Sequence, residues 1–134
     1  MTFIDTNIFF YSVDKTEPEK QRIAQNVLRN LLNNQDGQIS TQVIQEFVNS
    51  TTAKLKFSKE DVLTFLDSVT AFPVHINRVR TIREALRDSI KTQFSFWDSL
   101  IISAALESGC DTLYTEDLND GQIVEGVKIV NPFK

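Results

Sequence analysis

Apolar residues recur along this chain with two different periods, and the alternation between them sets the expected architecture. Thr2 to Ile4 is a short apolar run ending at Asp5-Thr6-Asn7, where residues that favour caps and turns cluster, and it reads as a buried strand. Thr16-Glu17-Pro18-Glu19 has the form of a capping box with proline at the first helical position. Ile23, Ala24, Val27, Leu28, Leu31 and Leu32 then follow at helical spacing. Asn33 to Gly37 ends that helix, and Gln38 to Ser40 is long enough for a brief strand. Thr41 can cap a helix with Val43, Ile44, Phe47 and Val48 on its apolar face. Ser58 opens another, buried through Val62, Leu63, Phe65, Leu66 and Val69.

Phe72 to Ile76 is a strand candidate that Pro73 confines to a sheet edge. Asn77 to Ile90 returns to helical spacing, with Val79, Ile82, Ala85, Leu86 and Ile90 expected on the buried side. Trp97, Leu100, Ile101, Ala104 and Ala105 mark a further helix, stopped at Gly109. Thr112 to Tyr114 and Val127 to Val130 are the last strands, separated by a polar turn around Asn119-Asp120-Gly121. Strands that alternate with helices imply parallel β-α-β units, and such sheets bind ligands beyond the carboxyl ends of their strands.

Composition narrows the class. The 134 residues suit one domain, 1–134, without repeats or a Pro/Gly/Ser-rich linker, and 41% hydrophobic with 24% charged residues is ordinary for a folded chain. The single cysteine, Cys110, cannot form an internal disulfide, so a reducing cytoplasm is expected. No basic leader precedes an apolar stretch and no segment reaches membrane-spanning length, so membrane insertion is not expected. A net charge of −4 argues against a protein that coats nucleic acid through general excess of Lys and Arg, so any such contact must be local.

The acidic excess is placed informatively. Asp5 follows the first strand, Glu46 lies in the helix after the second, Asp98 opens the late helix, and Glu116, Asp117 and Asp120 follow the fourth strand. In a parallel sheet these positions converge. Mg²⁺ takes oxygen ligands, usually one or two carboxylates with waters and substrate phosphate, and separate elements can supply them. Such an ion lowers the pKa of a bound water for attack on phosphorus and neutralises charge on the leaving oxygen. The helix N-terminus at Asp98 should favour its ionised form. Taken singly, Asp5 is also a turn or cap residue, Asp98 a first-turn helix acid, and Glu46 a solvated helix position.

Phe3-Ile4-Asp5-Thr6-Asn7, Glu46, Trp97-Asp98-Ser99 and Tyr114-Thr115-Glu116-Asp117 together resemble the PIN domain, particularly the VapC-type toxins of bacterial toxin–antitoxin pairs, over nearly the full length. The resemblance implies a three-layer α/β/α fold with a central parallel sheet of four to five short strands. It also implies a Mg²⁺- or Mn²⁺-dependent endoribonuclease, a cognate antitoxin, and a homodimer. By position, Asp5, Glu46 and Asp98 match the first three family acids and Asp117 best matches the fourth. Asn7 and Thr115 match positions that orient ligands or water. Which of Glu116, Asp117 and Asp120 would touch metal is open.

Other features compete for attention. Arg78, Arg80, Arg83 and Arg87 with Lys91, and Lys54, Lys56 and Lys59, form two basic stretches that either track a phosphate backbone or lie on solvated faces; the solvated face is the commoner outcome. His75 has no companion at metal-ligand spacing and reads as a strand residue. Phe9, Phe10 and Tyr11 read as mainly core. A catalytically inactive PIN-like module acting through a protein or RNA partner is the alternative function. A phosphoacceptor domain is disfavoured because Asp5-Thr6-Asn7 lacks the second Asp of the Asp-x-Asp phosphatase motif.

Overall fold

The computed structural model describes residues 1–134. The chain runs β1 (Thr2–Ile4), α1 (Thr6–Ser12), α2 (Pro18–Asn33), β2 (Gly37–Ser40), α3 (Thr41–Ala53), α4 (Lys59–Val69) and β3 (Val74–His75), then α5 (Val79–Lys91), α6 (Phe96–Glu107), β4 (Thr112–Tyr114), β5 (Ile123–Val124) and β6 (Val127–Val130). The sheet order is β3-β2-β1-β4-β6-β5. All neighbouring pairs are parallel except β5 with β6, so the expected parallel sheet is present and carries one short antiparallel strand at its edge. β3 forms the other edge, as Pro73 requires.

The order reverses between β1 and β4. From β1 the chain steps through β2 to β3, then crosses back to β4 on the far side of β1. Right-handed crossovers put the connecting helices of these two excursions on opposite faces. Accordingly α1 packs on α2 and α3, and α3 on α4, whereas α5 packs on α6. Phe3, Ile4, Ile39, Leu113 and Ile129 are fully buried along the strands between the layers.

Several local expectations are corrected. Thr6–Ser12 is a helix that the sequence reading did not place, and Asp5, read there as a cap or turn residue, is its N-cap, with its side chain accepting the Thr6 backbone N–H. The capping box at Thr16 does not form: Glu17 occupies the N-cap without a side-chain bond, and the Thr16 hydroxyl donates to Asp14 instead. Ser40, not Thr41, is the N-cap of α3, and the Thr41 hydroxyl accepts from the Asn77 backbone N–H. The turn after β4 holds the extra strand β5.

The largest departure is on α5. Val79, Ile82, Leu86 and Ile90 were expected inside, yet they are 70%, 43%, 55% and 79% exposed, and only Thr81 and Ala85 are buried on this helix. The helix is amphipathic as the spacing predicts, but small residues face α6 and the large apolar stripe faces solvent.

Gly37 fixes how closely β2 approaches α4's end. A Cβ there would stand 2.5 Å from Cδ1 and 2.6 Å from Cε1 of Phe72, and 3.1 Å from Cδ1 of Ile4. Phe72 is itself buried and edge-on to Phe9, so its ring has little room to yield. Gly37→Ala is expected to cost about 1–3 kcal/mol by overpacking, read as a lower urea midpoint with unchanged slope; an unshifted midpoint would mean that the Phe72 ring moves freely.

Candidate metal centre

Pairing of β1 with β4 builds the site. Ile4 lies opposite Tyr114, and the Asp5 backbone N–H donates to the Tyr114 carbonyl at 3.0 Å, so Asp5 and Thr115 leave adjacent strands at the same level. The Thr115 hydroxyl donates to Asp5 Oδ2 at 2.8 Å. It accepts from Asn7 Nδ2 at 3.2 Å and from the Asp117 backbone N–H at 3.1 Å. One donor and two acceptor positions exhaust a hydroxyl, so this buried group ties three elements together.

The remaining bonds orient the other acids. Asn7 Nδ2 also donates to Asp117 Oδ2 at 3.1 Å. The Thr6 hydroxyl donates to Glu46 Oε1 at 2.7 Å, and Gln42 Nε2 reaches Glu46 Oε2 at 3.4 Å and the Trp97 carbonyl at 3.1 Å. Gln42 therefore links α3 to the start of α6, where Ser95 accepts the Asp98 backbone N–H. Asp5, Thr6, Asn7, Glu46, Glu116 and Asp117 all line one cleft of about 360 Å³.

Charge in this cleft is unbalanced. Asp5 is 7% exposed, and its carboxyl is pushed up to about 7 by burial, opposed by the bonds from Thr115 and Thr6 and reinforced by repulsion from Asp117 and Glu46. Asp98, which is not among the residues lining this cleft, is also raised, by burial first and by Asp117, against the pull of Ser95. The net direction is opposite to the modest gain expected from the helix N-terminus. None of Asp5, Glu46, Asp98 and Asp117 takes part in a salt bridge, although six such pairs form elsewhere.

The three acids of the final loop are treated differently. Asp117 faces the cluster through Asn7. Glu116 accepts from the Tyr11 hydroxyl at 2.7 Å and pairs with Lys20 at 3.0 Å, so its charge is already met. Asp120 accepts the Asn131 backbone N–H at 2.8 Å and is not among the residues of the cleft. Sequence reading missed Thr6, Gln42, Tyr11 and Lys20; Gln42 lies one helical turn before Glu46, the only spacing signal that pointed to it.

Asp5, Glu46 and Asp117 line one cleft and take part in no salt bridge, a donor set that suits a divalent cation taking one or two carboxylates and completing its shell with water. No group of three or more of the chain's His, Cys, Asp and Glu side chains stands close enough together to hold a metal ion. His75 lies elsewhere, bonded to Glu107 at 2.8 Å, and Cys110 is a buried thiol whose pKa burial raises.

Comparison with known proteins places this geometry. Residues 2–120 match the family model described as PIN domain. No protein of curated function is matched by sequence. Among solved structures, a toxin–antitoxin complex from Klebsiella pneumoniae superposes with a TM-score of 0.70 at 17% identity, over 98% of each chain. VapBC2 from Rickettsia felis, bound to a DNA fragment from its promoter, gives 0.68 at 21% identity over 96% of each chain. The Mycobacterium tuberculosis toxin VapC20, which cleaves the sarcin–ricin loop, gives 0.62 at 12% identity over 84% of this chain and 87% of that one.

Two outcomes follow from the site's charge. Because Asp5 titrates near 7 when folded and near 3.8 when unfolded, the folded chain holds an extra proton between those values, and metal-free stability should be full near pH 4 and fall as pH rises through 7. Urea denaturation in EDTA should therefore find Asp5→Asn more stable than the parent at pH 8 by roughly 2–4 kcal/mol, with the difference vanishing near pH 4. Thr115→Val leaves Asp5 Oδ2 and Asn7 Nδ2 without their shared partner, and should cost about 1–3 kcal/mol at pH 8; an unchanged midpoint would remove Thr115 from its central role.

Proposed function

The chain belongs to the PIN domain family, and on that footing we propose that it is a metal-dependent endoribonuclease, the toxin of a type II toxin–antitoxin pair. The observation that carries the reading is the group of carboxylates at the β1/β4 switch point, with Asp5 raised by burial and by repulsion from Asp117 and Glu46, Asp98 raised by burial and by Asp117, and none of the four in a salt bridge. Asp5, Glu46, Asp98 and Asp117 would hold Mg²⁺ or Mn²⁺. When bound, the ion lowers the pKa of water for in-line attack on a phosphodiester and stabilises charge on the leaving oxygen.

The chain's own groups do the positioning. The Thr115 hydroxyl and the Thr6 N–H each hold one oxygen of Asp5, fixing the plane of its carboxyl. The Thr6 hydroxyl fixes Glu46, and Asn7 fixes Asp117 relative to Thr115. Rigid presentation matters because misplacement of a reacting group by about 1 Å can cost on the order of a hundredfold in rate. Glu116, neutralised by Lys20 and Tyr11, anchors the loop that carries Asp117 and is left outside the ligand set.

Partners follow from the same reading. RNA is the substrate and a cognate antitoxin the inhibitor, as the toxin–antitoxin complexes of similar fold suggest. A second copy of the chain is the proposed cover for the apolar stripe of α5, since an exposed face of this kind marks an association surface. No helix of the chain is long and apolar enough to cross a membrane. The absence of any three such side chains close enough together to hold a metal ion favours one competing reading, a nonenzymatic module that binds through its partner.

Cleavage assays separate the two. RNA hydrolysis is expected with Mg²⁺ or Mn²⁺, abolished by EDTA, and reduced at least about a hundredfold by Asp5→Asn or Asp98→Asn; cleavage that persists in EDTA would defeat the proposal. Calorimetric titration with Mn²⁺ that gives no heat near millimolar concentration would favour the module. Light scattering is expected to return twice the chain mass, and Leu86→Glu with Ile90→Glu to return the monomer.

A further inference from the structure

α3 carries a stripe at helical spacing that begins at Gln42 and continues through the more accessible Gln45, Glu46, Asn49, Ser50, Ala53 and, at its C-cap, Lys54. Only Gln42 of these is buried. The stripe spans about 18 Å at the rise of an α-helix, with Glu46 a third of the way along it. Two clefts lie along this stripe, and Glu46 and Asn49 belong to the walls of both. On one side Phe10 and Lys54 complete the walls of the cleft that contains Asp5 and Asp117. On the other, Trp97 and Gln45 border a cleft of about 420 Å³.

Trp97 is the feature that the core and the acidic site leave unexplained. It is 60% exposed, the residue before Asp98, and held edge-on against Phe96 with ring centroids 5.1 Å apart. Its carbonyl is fixed by Gln42, the side chain that also reaches Glu46. A large aromatic face is thus held at the border of an acidic centre from which a plain core tryptophan would be withdrawn. At the other end, the Lys54 ammonium lies 5.8 Å from the Phe10 ring centroid and takes part in no salt bridge. A basic charge and an aromatic ring there face a cleft that is otherwise polar.

We infer that the two clefts form one groove for single-stranded RNA, crossing the acidic centre along α3, with Trp97 stacking a base on one side of the scissile phosphate. Lys54, beside Phe10, takes a backbone phosphate on the other side. Gln45 and Asn49 present amides to the nucleotides between. Stacking on an exposed aromatic tolerates any base because every base has a π face, and it requires an unpaired strand. A duplex, whose bases are already stacked on one another, leaves Trp97 nothing to do. The inference rests on the ribonuclease reading and adds to it two binding residues outside the acidic cluster, Trp97 and Lys54.

Trp97 is the only tryptophan in the chain, so its own fluorescence reports the event. A fluorescein-labelled oligoadenylate, titrated into the full chain in EDTA, should bind by anisotropy and quench tryptophan emission, while a labelled RNA duplex should do neither at the same concentration. Trp97→Ala should weaken oligoadenylate binding about tenfold or more, and Trp97→Phe should recover most of it. Lys54→Ala should reduce the slope of log affinity against log salt by about 0.7, the contribution of one phosphate on a single strand.

Binding without quenching, or equal binding by Trp97→Ala, would overturn the groove while leaving the ribonuclease reading intact. Cleavage that fails in Mg²⁺ although the oligomer binds and quenches would count against the ribonuclease reading and support the groove. Emission already blue-shifted in the free protein, with Trp97→Ala converting a dimer to a monomer, would assign this face to a second copy of the chain and overturn the proposal.

Discussion

A hydrogen bond from the Asp5 backbone N–H to the Tyr114 carbonyl extends the β1/β4 ladder one residue past the strands, and the arrangement of the site follows from it. Parallel strands in register end together, so two segments more than a hundred residues apart in sequence deliver a carboxylate and a hydroxyl to the same point. That point is the place where the winding of the sheet reverses and the connecting helices diverge to opposite faces. The divergence leaves a cleft that no loop has to fill. Asp5 then serves twice, as cap of α1 through Thr6 and as the buried centre of the acidic cluster.

Holding acids together without a cation is costly, and the fold meets that cost with neutral donors. Thr6, Asn7, Gln42 and Thr115 place amides and hydroxyls against the carboxylates but bring no positive charge. The one lysine close to the loop, Lys20, is committed to Glu116 and stacks over Tyr11 with its ammonium 4.5 Å from the ring centroid. Positive charge is thus kept at the wall of the cleft and excluded from its centre. The pairing of Glu116 with Lys20 also prevents a third loop acid from adding to the repulsion around Asp117.

Two surfaces remain apolar or aromatic after the core is complete. On α5 the large residues point outward because α6, nearly uniformly apolar and buried along most of its length, leaves room only for Thr81 and Ala85 against it. At the start of α6, Trp97 stays outside, next to a half-buried Asp98. In both places the burial of α6 between the sheet and α5 decides which neighbouring side chains are left for other molecules.

The elements were legible in the sequence wherever one period dominated: the strand at Thr2 to Ile4, the helix capped by Ser58, the edge strand marked by Pro73, and the stop at Gly109, whose φ of +77° is natural to glycine. α1 and β5 were not, since Thr6–Ser12 is helical through a cap and packing rather than through a strong local signal, and two residues of strand carry no period. The identity of the acids was likewise written locally, as polar residues after apolar runs. Their shared environment was not. That Thr115 bridges Asp5 and Asn7, that burial and Asp117 raise Asp98, and that Glu116 is tied off by Lys20 are all relations between distant segments, fixed by strand register and by desolvation. The same holds for α5: its amphipathic spacing determined that one face would be apolar, but only the packing of α6 decided that this face would be the one in water, because periodicity states which residues lie together and is silent on what lies across from them.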